Sequence, residues 1–174
     1  MAITRTALTD DSGSGTDGTV FNNAWKTELY DQIDAADAAV AALLTPLPTW
    51  VAYTPTWVNL TIGNGTVTAK RAIANKIVLV ELTVVFGSTT TIALATTFTL
   101  PFNNTAPGSV LPLGQLGMYD SSATSVYSGT VYASAATTGV LYTNASPATL
   151  VSATVPFTWA VGDQISITLQ YQTP

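Results

Sequence analysis

The chain contains no cysteine and no histidine, and only 9% of its 174 residues are charged. The first absence removes disulfide staples, thiolate ligands and thiol nucleophiles. The second removes imidazole, and with it Ser-His-Asp triads and His-bound zinc. Cations are scarce: Arg5, Lys26, Lys70, Arg71 and Lys76 make up the whole set. No basic stripe for phosphates can be built from five such residues, so nucleic acid is not an expected partner. Long apolar runs are missing too. Mean hydropathy is +0.35, yet no run reaches the roughly 18 residues of a membrane span. The opening MAITRTALTDD has no continuous apolar core of the kind a secretory signal needs. Membrane insertion and export by that route are therefore not expected, and the surplus apolar surface should be hidden between subunits.

What is present begins with a helical stripe. Phe21, Trp25, Leu29 and Ile33 fall four apart, and Ile33, Ala36, Val40 and Leu43 then alternate three and four apart, the repeat of a coiled-coil seam. Asp31, Asp34 and Asp37 take the solvent face, Thr19 is the expected N-cap, and Pro46-Leu47-Pro48 ends the pattern. The division expected is an anchoring arm over 1–19, a helical stalk over 20–45, a hinge over 46–49 and a β head over 50–174. The stalk would be a rod of under about 40 Å at 1.5 Å per residue. A single helix cannot bury this seam on itself. Either the helix packs on its own β domain, or Leu29, Ile33, Ala36, Val40 and Leu43 form an oligomerisation seam with other copies.

The net charge of −5 sits in the first part of the chain, where Asp10, Asp11, Asp17, Glu28, Asp31, Asp34 and Asp37 face only Arg5 and Lys26. Residues 1–18 end in DDSGSGTDG, a stretch with too little apolar side chain to repay its own ordering. Asp10, Asp11 and Asp17 lack the ligand spacing and terminal Glu of a calcium loop. No metal or other cofactor is expected.

From Thr49 onward the period changes to two, and Thr and Val dominate. Strands are expected over 50–59, 65–73, 76–86, 91–100, 110–119, 125–133, 138–143, 149–155 and 164–172. The fold class is then mainly β, an antiparallel β-sandwich or jelly-roll head behind a single coiled-coil-like helix. In the strongest strand, IVLVELTVVF from Ile77 to Phe86, the even positions are apolar and face the core; Glu81 and Thr83 lie on the other face. Gly63-Asn64-Gly65 and Gly87-Ser88 are expected to make tight hairpins through positive φ, and Val161-Gly162-Asp163 a turn before the last strand. Trp159 is expected at the end of the core, with a sugar platform of Trp159 and Asp163 as the alternative.

Two stretches resemble bacteriophage virion structural proteins. LTDDSGSGTDGTVFNNAWKTELYDQIDAA at 8–36 is similar to N-terminal modules of tail or fibre-like proteins. TPTWVNLTIGNGTVTAKRAIANKIVLVELTVVFGSTTTI at 54–92, FTLPF at 98–102 and VPFTWAVGDQISITLQYQT at 155–173 are similar to C-terminal β modules of phage and prophage proteins. The resemblance implies a protein of the virion surface, made in the host cytoplasm, commonly a homotrimer, joined to other virion proteins through its arm. It carries over no catalytic residue. A capsid decoration protein and a glycan-active spike are the alternatives, the latter needing two juxtaposed carboxylates from Glu81, Asp120 and Asp163. The polar-aromatic segments 118–127 and 142–147 have the chemistry that grips a host glycan or protein, with Tyr119, Asp120, Tyr127, Tyr142 and Asn144 as the candidate receptor contacts.

Overall fold

The computed structural model describes residues 23–43, 48–105, 111–145 and 147–174. The expected arm, its Thr19 cap and residues 46–47 of the hinge lie outside the described residues. The chain divides between Pro46 and Leu47 into two units.

In the first unit α1 spans Asn23–Leu43, about 31 Å of helix. Leu29, Ile33 and Val40 are 37%, 42% and 53% exposed, and Ala36 is exposed as well. The apolar stripe therefore exists on a real helix and is uncovered along those four positions. Leu43 is the last helical residue; its side chain lies outside the described set.

The second unit holds nine strands: β1 (Val51–Ala52), β2 (Trp57–Thr61), β3 (Thr66–Ala74), β4 (Ile77–Val85), β5 (Thr91–Thr99), β6 (Leu111–Asp120), β7 (Ser125–Ala135), β8 (Thr138–Thr143) and β9 (Gln164–Gln172). They form one sheet in the order β1-β3-β4-β9-β6-β7-β8-β5-β2, with every neighbouring pair antiparallel. Alternation decides which face is inside. On β4, Val78, Val80, Leu82 and Val84 are at most 2% exposed while Ile77 and Glu81 face out. On β9, Ile165, Ile167, Leu169 and Tyr171 are buried, and Ser166, Thr168, Gln170 and Gln172 are exposed. The inward residues of both halves of the sheet, from Leu60 and Phe98 to Val80 and Leu169, make one core.

A flat sheet of nine strands would hold its edges roughly 38 Å apart at about 4.8 Å per strand. Here the edges are consecutive in sequence. Tyr53 N donates to Ala69 O at 3.1 Å, still on the β3 side, and Thr56 N already donates to Thr99 Oγ1 at 2.9 Å on the β5 side. Only Thr54 and the buried Pro55 cross between them, and three peptide steps reach no further than about 11 Å. The sheet must therefore curl until its edges approach each other. Residues 62–65 make a second short crossing, from edge strand β2 to β3 beside the opposite edge.

Two strand expectations are corrected. The single strand over 50–59 is split at Pro55, and its halves become the two opposite edges. The strand over 149–155 is absent: Leu150 makes an isolated bridge to Tyr142, and Ser152 and Val155 exchange backbone bonds of 3.2 and 3.4 Å in a tight turn. Its alternating pattern is real, but the chain folds back on itself before a ladder can form.

Candidate functional site

The pairings give the β domain two ends. Thr61 opposite Thr91, Thr66 opposite Val85, Tyr119 opposite Gln164, Asp120 opposite Ser125 and Gly129 opposite Thr143 gather residues 62–65, 86–90, 121–124, 144–145 and 147–163 at one end. The chain enters at the other, beside Arg71 on β3. Both expected receptor segments thus reach the end remote from chain entry.

Polar side chains knit that remote end together. Thr89 N and Oγ1 both donate to Asn64 Oδ1 at 2.9 Å, Asn64 N donates to Thr89 Oγ1 at 2.8 Å, and Asn64 Nδ2 donates to Ser88 Oγ at 2.9 Å. The two glycine turns are therefore docked on each other. Neither is a hairpin between neighbours; each crosses between distant strands. Gly63 does take a positive φ of 57°, but Gly87 serves close approach: a Cβ there would lie 2.7 Å from the Asn64 carbonyl carbon. Asp163 closes the neighbouring corner. It is 0% exposed, its Oδ2 accepts from Ala160 N at 2.6 Å, and its Oδ1 accepts from Ser121 N and Oγ at 2.9 and 3.0 Å. Beneath these turns the rings of Phe86, Trp159, Phe157 and Tyr127 follow one another at 4.7, 4.5 and 5.1 Å. Trp159 also donates from Nε1 to Ser152 O at 3.0 Å. Trp159 thus caps the core as expected, and the platform alternative is corrected, since a fully buried Asp163 with both oxygens engaged offers no carboxylate to a sugar.

The five receptor candidates separate. Tyr127 points inward onto Phe157, although it also lines a cleft with Val126, Ser128, Asn144 and Pro156. Asp120 spends Oδ1 on its own loop, accepting from Ser122 Oγ at 2.7 Å and from Ser122 N and Ala123 N at 3.0 Å each. Those bonds, the Ser122 hydroxyl first, hold its carboxyl below the usual range despite burial. Tyr119, Tyr142 and Asn144 belong to the outer face. Tyr142 meets Tyr132 edge-on at 5.4 Å, and Asn144 Oδ1 accepts from Thr130 Oγ1 at 2.9 Å.

Register aligns these outer residues into rows that spacing alone does not reveal. Thr68 lies opposite Thr83, Thr83 opposite Ser166, Ser166 opposite Gly117 and Gly117 opposite Ser128; Asn144 N then donates to Ser128 O at 3.1 Å. This row of small, uncharged residues crosses from β3 to the end of β8. One flanking row runs Glu81, Thr168, Gln115, Thr130, Tyr142. The other runs Val85, Gln164, Tyr119, Val126. Alternation along a strand gives a residue its face, but the meeting of these residues in one line depends on five separate pairings.

No family model, curated protein or solved structure matches the chain. The site must be read from its own chemistry. Glu81 pairs with Lys70 at 2.7 Å on the surface, and Asp120 and Asp163 accept bonds that fix their loops. Among the described residues no three Asp or Glu side chains gather as metal ligands, and no helix is long and apolar enough to cross a membrane.

Proposed function

We propose that the protein is a phage virion structural protein, a trimeric fibre or spike whose arm mounts on a capsid or tail protein and whose β domain faces outward for adhesion or display. The observation that carries this reading is the uncovered stripe Leu29, Ile33, Ala36 and Val40 on α1. Its heptad spacing and its exposure along one helix are what a seam between copies requires. The remote position of the loop cluster supports an outward tip. In finer detail, the two halves of the curled sheet face each other as a sandwich, a reading supported by the two short crossings between its edges. The protein binds without cutting: its three β-domain carboxylates are occupied by Lys70 or by loop donors, an arrangement that suits structure better than acid-base work.

Two measurements test the proposal. Light scattering of the full chain at micromolar concentration should give three times the monomer mass, and a monomer would refute it. Removing residues 1–18 should leave a folded, trimeric protein that no longer joins the particle. Normal incorporation would make the β domain the anchor and favour a decoration role.

A further inference from the structure

We infer that the cavity beside Arg71, at the end of the β domain where the chain enters, receives a carboxylate side chain of the virion protein on which the molecule is mounted. The inference rests on the mounting part of the proposed function and adds to it a contact of stated chemistry. Register explains why a cation stands there. Arg71 lies opposite Val80, and Val80 opposite Leu169, both within the core, so the side chain starts from the inward face. Its guanidinium lies over the Phe102 ring at 4.4 Å. Tyr171 fixes the Phe102 backbone twice, its hydroxyl accepting from Phe102 N at 3.3 Å and donating to Phe102 O at 3.0 Å. Beside the guanidinium is a cavity of about 110 Å³, lined by Thr49, Val51, Ala72, Ile73 and Phe102 together with Arg71.

This cation lacks a counter-charge. Arg71 Nε is buried with no hydrogen-bond acceptor, and the side chain makes no hydrogen bond or ion pair with any described residue. A charge drawn out of water without a partner is costly. The β domain has no carboxylate to spare for it: Glu81 is held by Lys70 at 2.7 Å, while Asp120 and Asp163 hold loops at the remote end. One guanidinium balances one negative charge, and its planar fork matches the two oxygens of a carboxylate; a phosphate dianion would leave a charge uncompensated between apolar walls. The rim selects a polypeptide over a small free acid. Trp50, Val51, Ile73, Ile77 and Leu111 are all exposed at this end, so a single arginine stands in an apolar surround, as at the centre of a protein interface. The cavity takes one acidic side chain, and the rim takes the apolar residues that flank it.

Sequence makes the test clean. The chain has two arginines, Arg5 and Arg71, so the full-length protein labelled at its arginine nitrogens gives two Nε–H signals in NMR, and Arg5→Lys assigns them. The probes are propionate, inorganic phosphate, the blocked peptide acetyl-Val-Glu-Val-amide and its Gln counterpart. The expected result is a saturable shift of the Arg71 signal alone with the Glu peptide, about tenfold or more tighter than with propionate, phosphate or the Gln peptide. Arg71→Met and Arg71→Lys, followed by anisotropy of the dye-labelled Glu peptide, should each lose about tenfold or more, with oligomer mass unchanged and the melting temperature of Arg71→Met unchanged or raised. Arg71→Met should also lower occupancy on the particle with the arm intact. Absence of a saturable shift with the Glu peptide would overturn the inference, as would an equal response to the Gln peptide or a preference for phosphate. Propionate binding as tightly as the peptide would give the cavity to a small acid, and a smaller oligomer for a folded Arg71→Met would give it to a second copy; either overturns the virion partner, as does unchanged particle occupancy by that variant. Removing residues 1–18 tests the mount separately: if that deletion abolishes incorporation while the peptides fail to bind, this inference falls and the proposed function stands.

Discussion

Asn64 and Thr89 bind each other three times across two separate turns: Thr89 donates twice to Asn64 Oδ1 at 2.9 Å, and Asn64 N donates to Thr89 Oγ1 at 2.8 Å. The pair locks the β2–β3 crossing to the β4–β5 crossing, two connections that each run from the β2/β5 pair at one side of the sheet to the β3/β4 pair at the other. Asn64→Ala removes the shared acceptor and leaves Thr89 N unpaired in the fold. We expect a loss of about 1–2 kcal/mol, partial water access limiting the cost, read as a lower melting temperature with the oligomer mass unchanged.

Asp163 should matter more. It is fully buried and accepts from Ala160 N and from Ser121 N and Oγ. Asp163→Asn keeps the shape but turns an NH2 group toward one of those donors. The expected cost is about 3 kcal/mol, in the range for hydrogen bonds to a buried charge. Denaturant unfolding measures it, and Ser121→Ala should cost less because Ser121 N remains.

Acid should loosen the 120–125 loop. The folded carboxyl of Asp120 titrates below its ordinary value because Ser122 Oγ and the Ala123 and Ser122 amides donate to it. Between the two values the unfolded chain binds the extra proton, so this contribution is complete above the unfolded value near 4 and is lost as pH falls through the folded one. The acid limb of the stability curve should flatten in Asp120→Asn.

Alkali acts at the opposite end of the domain. Burial raises the phenol of Tyr171 to about 12, with its hydroxyl donating to Phe102 O at 3.0 Å, and pushes Tyr53 upward as well. Both contributions are fully present below the unfolded value near 10 and are lost as pH rises beyond it, because the unfolded chain gives up its protons first. Tyr53 Oη is buried without a partner. Tyr53→Phe should therefore leave stability unchanged or raised at neutral pH, and should reduce the alkaline loss seen by thermal melts.

On the helix, Val40→Asp places a carboxylate in the stripe. If copies meet there, like charges are brought together out of water, and light scattering at micromolar concentration should show a shift toward smaller species while the β signal in circular dichroism persists. Val126→Asp, an equally drastic change on a residue 77% exposed in the β domain, should leave the mass unchanged.

Local chemistry written in the sequence determined the helix, expected over 20–45 and described over Asn23–Leu43, eight of the strand regions and the inward face of β4. The reason is physical: a period of 3.6 or 2 depends only on backbone geometry, and apolar side chains follow it. The turn residues were legible too, but not their reason, since Gly87 is required by the approach of Asn64 from 23 positions earlier in the chain. Tertiary structure alone decided that Val51–Ala52 and Trp57–Thr61 lie at opposite edges, that 149–155 makes no strand, and that Asp163 is buried rather than offered to a ligand. It also decided which outer residues share a row. Alternation tells a residue its face but not its neighbour; Gly117 comes to lie between Ser166 and Ser128 only through pairings that span tens of residues, set when the whole sheet curls around one core.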